Sequence, residues 1–284
     1  MESDSTSITE TPSFVKPEEP PKYFGIDIDG TFYTGNEEAW EKNVEAFAEV
    51  RKKGYTPFFC TSRSLDSTLS LVGNDFVKKT GYNGCPGVYE NGVFVYGDKD
   101  ALYMNVLSRH FLNDFIRFLP EDSLNRVIFF QRDDSYSLVD TDPWIKTILK
   151  GNELPATQVK TLDEILNLDI IKIMIYSDPS LLVNLRKNVG FNAFMLHNNL
   201  FMISPLDLNK SLGINQLMEN YGISPKDCGF IGDGHNDIEA MKFCNVSFAV
   251  ANAPDEVKKH AKIVLDKTCD QGAVAEALKL TYGL

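Results

Sequence analysis

From residue 22 onward, short apolar runs alternate with amphipathic stretches, a pattern typical of a parallel sheet covered by helices. The run YFGID at 23–27 predicts a first buried strand. The next stretch places Val44, Phe47 and Val50 at three-residue intervals and stops at Gly54, which predicts a helix. A second strand is predicted over 55–60.

The same alternation returns near the C-terminus. Ile214, Leu217, Met218 and Tyr221 follow helical spacing and are closed by a glycine. Further strands are predicted at 228–234, 246–252 and 262–265, and further helices at 237–244, 254–261 and 272–280. The two ends of the chain therefore predict one α/β core.

The middle of the chain has a different pattern. Apolar runs at 126–131 and 135–140 flank Arg132-Asp133-Asp134, and runs at 191–196 and 200–204 flank His197-Asn198-Asn199. Both arrangements predict antiparallel hairpins. We therefore expect an inserted α+β domain over 97–204, with the core formed by 22–96 and 205–284.

The first 21 residues are rich in Ser, Thr, Glu and Pro and poor in apolar residues. They lack the basic start and apolar middle of a signal peptide, so the sequence predicts a disordered N-terminal tail over 1–21.

Charge and cysteine content narrow the function classes. The 284 residues carry a net charge of −12, which argues against nucleic acid or an anionic membrane as partner. The five cysteines lie far apart without a Cys-x-x-Cys pair, which indicates reduced thiols in a cytoplasmic protein. No apolar run approaches the length that spans a bilayer.

Polar residues cluster where predicted core strands end. Asp27 and Asp29, Thr61 and Asp233 each lie at the carboxyl end of a strand. In open α/β sheets this edge is where ligands bind. Residues two apart on a strand share a face, so Asp27 and Asp29 can reach the same crevice, where their repulsion calls for a cation or a shared proton. A calcium loop beginning at Asp27 would need glycine where Phe32 stands.

Each motif taken alone also has an ordinary structural explanation. Thr61 and Ser62 could bind an anion at a helix start or simply cap that helix. Lys210 stands at a predicted helix start and could be a solvated lysine. Asp237 could be an N-cap, whereas Asp233, between two glycines at the end of a buried strand, is harder to explain structurally.

The four stretches together resemble a known family. DIDGT at 27–31, TSR at 61–63, Lys210 and GDGHND at 232–237, in this order and spacing, resemble the four motifs of the haloacid dehalogenase superfamily. The resemblance is greatest to its Cof-type phosphatases, which have a Rossmann-like core and a large inserted α/β cap. Two departures are Ser62 where the family usually has glycine, and Phe32-Tyr33 where it usually has two leucines.

The resemblance implies roles for individual residues. Asp27 would be the nucleophile and Asp29 the general acid and base. Asp27, Asp233 and the backbone carbonyl of Asp29 would hold Mg²⁺. Asp237 would hold Lys210 or a metal-bound water. The groups expected to bind the phosphoryl oxygens are Thr61, the Ser62 amide, Lys210 and Asn236. Arg63 and His235 receive no role.

The resulting expectation is a Mg²⁺-dependent phosphatase acting on small phosphorylated metabolites, sugar phosphates foremost, through an aspartyl-phosphate. We expect a monomer or weak homodimer. One alternative is a phosphosugar mutase of the same fold, although GDGHND resembles the phosphatase form of the motif. The other is a non-catalytic phospho-ligand sensor, which would have lost at least one of Asp27, Asp29, Lys210 and Asp233.

Overall fold

The computed structural model describes residues 19–132, 134–151, 156–204, 206, 208–224 and 227–284. Residues 1–18 of the predicted tail lie outside this set. Pro21, its last residue, is buried, and its carbonyl accepts a hydrogen bond from Tyr282 Oη at 2.9 Å. This end of the predicted tail therefore belongs to the folded part of the chain.

Helices and strands alternate along most of the chain. The helices are α1 (Glu37–Lys52), α2 (Leu65–Thr80), α3 (Arg109–Phe118), α4 (Pro143–Gly151), α5 (Leu162–Leu166), α6 (Pro179–Arg186), α7 (Lys210–Asn220), α8 (Ile238–Phe243), α9 (Asp255–Lys258) and α10 (Ala273–Tyr282). The strands are β1 (Tyr23–Ile26), β2 (Thr56–Phe59), β3 (Gly87–Tyr89), β4 (Phe94–Tyr96), β5 (Ala101–Met104), β6 (Val127–Gln131), β7 (Asp134–Ser137), β8 (Gln158–Val159), β9 (Lys172–Tyr176), β10 (Asn192–His197), β11 (Leu200–Ser204), β12 (Cys228–Gly232), β13 (Val246–Ala249) and β14 (Ile263–Val264).

The core sheet has five parallel strands in the order β14-β13-β12-β1-β2. Strands β1, β2 and β12 are apolar on both faces, and their residues Phe24, Phe58 and Phe230 have no exposed surface. Such strands are typical of a parallel sheet covered on both sides by helices. The ends of β1, β2 and β12 that carry the sequence motifs therefore meet at one edge. The predicted α/β core with a parallel sheet is confirmed.

The chain divides into two compact units, one ending at Tyr103 and resuming at Asn209, the other spanning Met104–Leu208. The predicted boundaries, 97 and 204, lie several residues before these. The difference arises because β5 pairs with β4 in a three-stranded sheet β3-β4-β5, which ties residues beyond 97 to the first unit.

The inserted unit is built on a six-stranded sheet in the order β10-β11-β9-β6-β7-β8. The predicted hairpins are present as the antiparallel pairs β6–β7 and β10–β11, and β8 adds a parallel pair with β7. Alternate residues on one face of this sheet, including Phe129, Ile173 and Ile203, form a hydrophobic core of the insert with residues such as Phe115 on α3. The insert is therefore an α+β unit with its own core.

Within the part of the chain that the structure describes, no helix combines the length and the apolar character needed to cross a bilayer.

Candidate active site

The first motif leaves the sheet through a tight turn. After β1 the backbone N–H of Asp27 donates to the Ile231 carbonyl at 3.0 Å, and residues Ile28–Phe32 make one wide helical turn. Gly30 within it has φ +75°, and a Cβ there would lie 2.4 Å from Oδ2 of Asp233. Only glycine fits both the conformation and the space. The turn thereby allows the Asp233 carboxylate to approach the backbone that follows Asp27.

Lys210, the first residue of α7, is completely buried. Its ammonium donates to Oδ1 of Asp27 and to Oδ1 of Asp237, each at 2.6 Å. Removing an ammonium from water is costly unless charged partners surround it, and here two carboxylates do so. The alternative of a solvated lysine does not apply. Lys210 instead connects the first and fourth motifs.

Asp237 fixes the loop that carries Asp233. Its Oδ2 accepts from the backbone N–H groups of Asp233 and Gly234 at 2.9 and 2.8 Å, while its Oδ1 binds Lys210. The Thr31 hydroxyl donates to Oδ1 of Asp233 at 3.0 Å. Both carboxylates of the GDGHND stretch are thus held in defined orientations, and Asp237 holds Lys210 as well as capping the turn.

Burial controls the protonation of these groups. It raises the pKa of the Asp27 carboxyl to about 8, with Asp237 and Asp233 adding to the rise and Lys210 opposing it. Burial also raises the pKa of Asp233, against the Thr31 hydrogen bond that lowers it. For Lys210, burial alone would lower the pKa, but Asp237 and Asp27 together raise it above its usual value. Without a further positive charge, the ionised forms of Asp27 and Asp233 are therefore disfavoured.

Asp27, Asp233 and Asp237 form a carboxylate cluster in which one oxygen of each lies within 4.8 Å of the others. Lys210 contacts two of these carboxylates and Asp233 lies close to them, so a bound cation would favour the ionised form of Asp27. Hard carboxylate oxygens are also the donors that Mg²⁺ prefers. The residues thus fit a magnesium ion. The side chain of Asp29 is not part of this cluster, and coordination by its backbone carbonyl stays a prediction.

The second motif provides hydrogen-bond donors beside this cluster. Thr61 is fully buried, and its Oγ1 accepts from the Arg63 backbone N–H at 3.1 Å, which leaves the hydroxyl proton available for an anionic oxygen. Ser62 is exposed, and no described residue accepts a hydrogen bond from its amide. A loop that binds phosphate needs such donors, and Ser62, which departs from the glycine usual in the family that the motifs resemble, still offers its amide.

Asn91 joins the second and fourth motifs. Its backbone N–H donates to the Thr61 carbonyl at 3.0 Å, and its Oδ1 accepts from Nδ2 of Asn236 at 2.9 Å. It has φ +57°, a left-handed conformation that asparagine tolerates better than most residues. The Asn236 amide is therefore positioned by a residue outside the four motifs.

Asp29 is held by Arg63. Nε and Nη2 of the guanidinium donate to the two carboxylate oxygens at 2.7 and 2.6 Å. The sequence assigned no role to Arg63, Asn91 or Thr31. The sequence signal for Arg63 and Thr31 was their position within the TSR and DIDGT motifs. Asn91 stands in the ENG turn before β4.

Comparison with known proteins identifies the family. A family model of haloacid dehalogenase-like hydrolases matches residues 24–278. The chain belongs to the haloacid dehalogenase-like hydrolases. A candidate phosphatase of Metamycoplasma hominis is 26% identical to it over 88% of this chain and 93% of that protein. A chloroplastic endoribonuclease of Arabidopsis thaliana is 25% identical over 90% of this chain. This chain spans 46% of that longer protein, so the ribonuclease activity in its name is not carried over.

Solved structures agree with this assignment. A candidate HAD/COF-like hydrolase of Plasmodium vivax is 31% identical, with a TM-score of 0.71 over 93% of this chain and 96% of that one. A subclass IIB sugar phosphatase, 16% identical, shares the fold with a TM-score of 0.68 over 90% of this chain and 97% of that one. The predicted family and fold class, a Rossmann-like core with an inserted cap, are confirmed. The haloacid dehalogenase-like chain is a hydrolase that acts on phosphate esters.

Proposed function

We propose that this hydrolase is a Mg²⁺-dependent phosphatase of small phosphomonoesters, sugar phosphates foremost, working through an aspartyl-phosphate on Asp27. The observation that carries the proposal is the buried Asp27 carboxylate, bound to Lys210 at 2.6 Å and grouped with Asp233 and Asp237. A nucleophilic carboxylate needs a nearby positive charge to stay ionised and to approach a negatively charged phosphate.

Asp27, Asp233 and the backbone carbonyl of Asp29 would hold the magnesium ion, with Asp237 fixing the loop on which Asp233 stands. When bound, Mg²⁺ would act as a Lewis acid that offsets negative charge on the carboxylates and on the phosphate ester.

In the first half-reaction, an oxygen of Asp27 attacks the phosphorus and the bond from phosphorus to the ester oxygen breaks. Asp29 gives its proton to the departing alkoxide. The hydroxyl of Thr61, the Ser62 amide and the ammonium of Lys210 donate hydrogen bonds to the transferring phosphoryl oxygens, and Asn236 adds its amide.

In the second half-reaction, water attacks the phosphorus of the aspartyl-phosphate. The bond from phosphorus to the Asp27 oxygen breaks, Asp29 takes the proton of the water, and inorganic phosphate leaves. One carboxyl group thus serves as acid and then as base, which returns the enzyme to its starting state.

Further expectations about substrate, location and oligomeric state belong to this proposal. A sugar phosphate as substrate is supported by the resemblance to Cof-type phosphatases and by the fold shared with a sugar phosphatase. A cytoplasmic location is supported by the five cysteines, all of them free thiols and three of them buried. We expect the substrate to be a small metabolite and the enzyme to be a monomer or weak homodimer.

The test is the Asp27→Asn variant with p-nitrophenyl phosphate and Mg²⁺. Loss of the nucleophile should reduce phosphate release by at least about 10³-fold, a loss in the range reported for catalytic nucleophiles. The fold should persist, because an amide can still accept the hydrogen bond from Lys210.

Circular dichroism and thermal unfolding serve as controls for folding of the variant. Turnover retained by folded Asp27→Asn, or wild-type turnover that is independent of Mg²⁺ after treatment with a chelator, would overturn the corresponding part of the proposal. A wild-type chain inert toward a panel of phosphomonoesters would favour the sensor alternative.

A further inference from the structure

The pair formed by Arg63 and Asp29 is unusually well defined for a surface ion pair. Both carboxylate oxygens of Asp29 accept from the guanidinium, at 2.6 and 2.7 Å, although the two side chains are 48% and 31% exposed. Exposed ion pairs contribute little to stability. A two-point contact of this kind therefore matters mainly for orientation, since it fixes the plane of the carboxylate.

Arg63 is itself fixed on its other sides. Its backbone N–H donates to Oγ1 of Thr61 at 3.1 Å, and its carbonyl accepts from the Glu90 backbone N–H at 3.0 Å. Its Nη1 donates to Oγ of Ser67 at 3.3 Å. One residue thus links the turn after β2 to the turn after β1. The fixed backbone gives the guanidinium a defined place from which to hold Asp29.

We propose that Arg63 is a positioning residue for Asp29, whose two-point contact orients this carboxyl group toward the leaving-group oxygen of the substrate. The inference depends on the proposed role of Asp29 as acid and base. In this role Arg63 affects proton transfer only through Asp29 and does not contact the substrate.

The geometry favours this role over two others. A residue that binds the phosphoryl group directly would direct its guanidinium at the substrate, whereas three guanidinium nitrogens of Arg63 are directed at Asp29 and Ser67. A residue that only stabilises the fold would not need to hold both oxygens of a half-exposed carboxylate. Without Arg63, a side chain as exposed as Asp29 would rotate among several orientations.

The first experiment compares Arg63→Ala and Arg63→Lys on two esters. p-Nitrophenyl phosphate has a good leaving group that needs little protonation, and glycerol 1-phosphate has a poor one. Loss of orientation of the acid should lower kcat about 10- to 100-fold for glycerol 1-phosphate and less than about 3-fold for p-nitrophenyl phosphate, with KM nearly unchanged. Lysine keeps the charge but lacks the planar fork, so Arg63→Lys should behave like Arg63→Ala. Added guanidinium should partly restore Arg63→Ala.

The second experiment is a double-mutant cycle. If Arg63 acts through Asp29, the double variant Asp29→Asn/Arg63→Ala should be no slower on glycerol 1-phosphate than Asp29→Asn alone. Arg51→Ala is the matched control, since the hydrogen bonds of Arg51 to described residues go to the Thr80 and Gly81 carbonyls, and its loss should leave kcat for both esters unchanged.

Three outcomes would overturn the inference. They are equal losses on both esters in Arg63→Ala, a rise in KM with kcat unchanged, or additive losses in the double variant. The proposed function fails separately: if Asp29→Asn alone slows both esters equally, Asp29 is not the leaving-group acid. If Asp29→Asn is selective and Arg63→Ala is not, only the role of Arg63 is wrong.

Discussion

At the scale of single residues, the site is governed by the charge balance around Lys210. Two carboxylates contact its ammonium at 2.6 Å, and Asp233 adds a third negative group nearby. Burial disfavours the ionised form of Asp27 and raises its pKa to about 8. A further positive charge beside Asp27 would favour the ionised form. The two acids of the DIDGT motif therefore have different partners. Asp27 belongs to the buried carboxylate cluster, and Asp29 is bound by Arg63.

This raised pKa predicts how the stability of the metal-free protein changes with pH. An unfolded aspartate loses its proton near about pH 3.9, whereas folded Asp27 keeps it until about pH 8. Folding then favours the protonated form, so the contribution of Asp27 to the free energy of unfolding is fully present below about pH 4 and falls as the pH rises to about 8. Urea unfolding in a chelator, between about pH 5 and 8, measures this effect.

Asp27→Asn is the control, because it removes the titrating group and should abolish this part of the pH dependence. Adding Mg²⁺ to the wild type should also reduce the fall, since a bound cation favours the ionised carboxylate. The same pH profile in wild type and Asp27→Asn would show that Asp27 does not titrate as described.

At the scale of elements, glycines let the turns after β1 and β12 come close together. A Cβ on Gly30 would lie 2.4 Å from Asp233, and one on Gly232 would lie 2.4 Å from the Asp237 carboxylate. The structure shows that the space above Gly232 is taken by Asp237, so this glycine serves the packing of the site itself.

Gly30→Ala should therefore weaken binding of the metal. The added Cβ would displace the Asp233 carboxylate, and we expect the Mg²⁺ concentration for half-maximal activity to rise about 10-fold or more, equivalent to about 1.4 kcal/mol. The measurement is a Mg²⁺ titration of phosphatase activity.

The matched control is Gly54→Ala. Gly54 also has a positive φ, +87°, but a Cβ there meets nothing within 4 Å. Both variants carry the backbone strain of about 1–2 kcal/mol, so only Gly30→Ala should change the Mg²⁺ requirement. A shift of equal size in both would mean that general strain, and not the displaced carboxylate, is responsible.

At the scale of the whole molecule, the described residues form two hydrophobic cores. Residues such as Phe47 and Phe58 belong to the core of the first unit, and Phe129 and Ile173 belong to that of the insert. All four motifs lie in the first unit.

Phe129→Ala should destabilise the insert selectively. Phe129 is fully buried, and removing its ring leaves a cavity that costs about 3–5 kcal/mol. Hydrogen exchange should lose protection mainly in Met104–Leu208. Phe47→Ala is the reciprocal control, with loss expected in the first unit. Equal loss of protection in both units after either substitution would contradict the two-core description.

The sequence alone determined the fold class, both hairpins of the insert and the family, because these depend on local periodicity and on residue types at fixed spacing. It did not determine the exact unit boundaries, since β5 is assigned by its pairing with β4. Nor could it show that Lys210 is buried, that Asp29 contacts Arg63 or that Asn91 joins Thr61 to Asn236. Burial and side-chain partners between residues 34 to 183 positions apart are set by tertiary packing, which brings the strand ends to one edge. That packing determines that Asp27 contacts Lys210 and that Asp29 contacts Arg63.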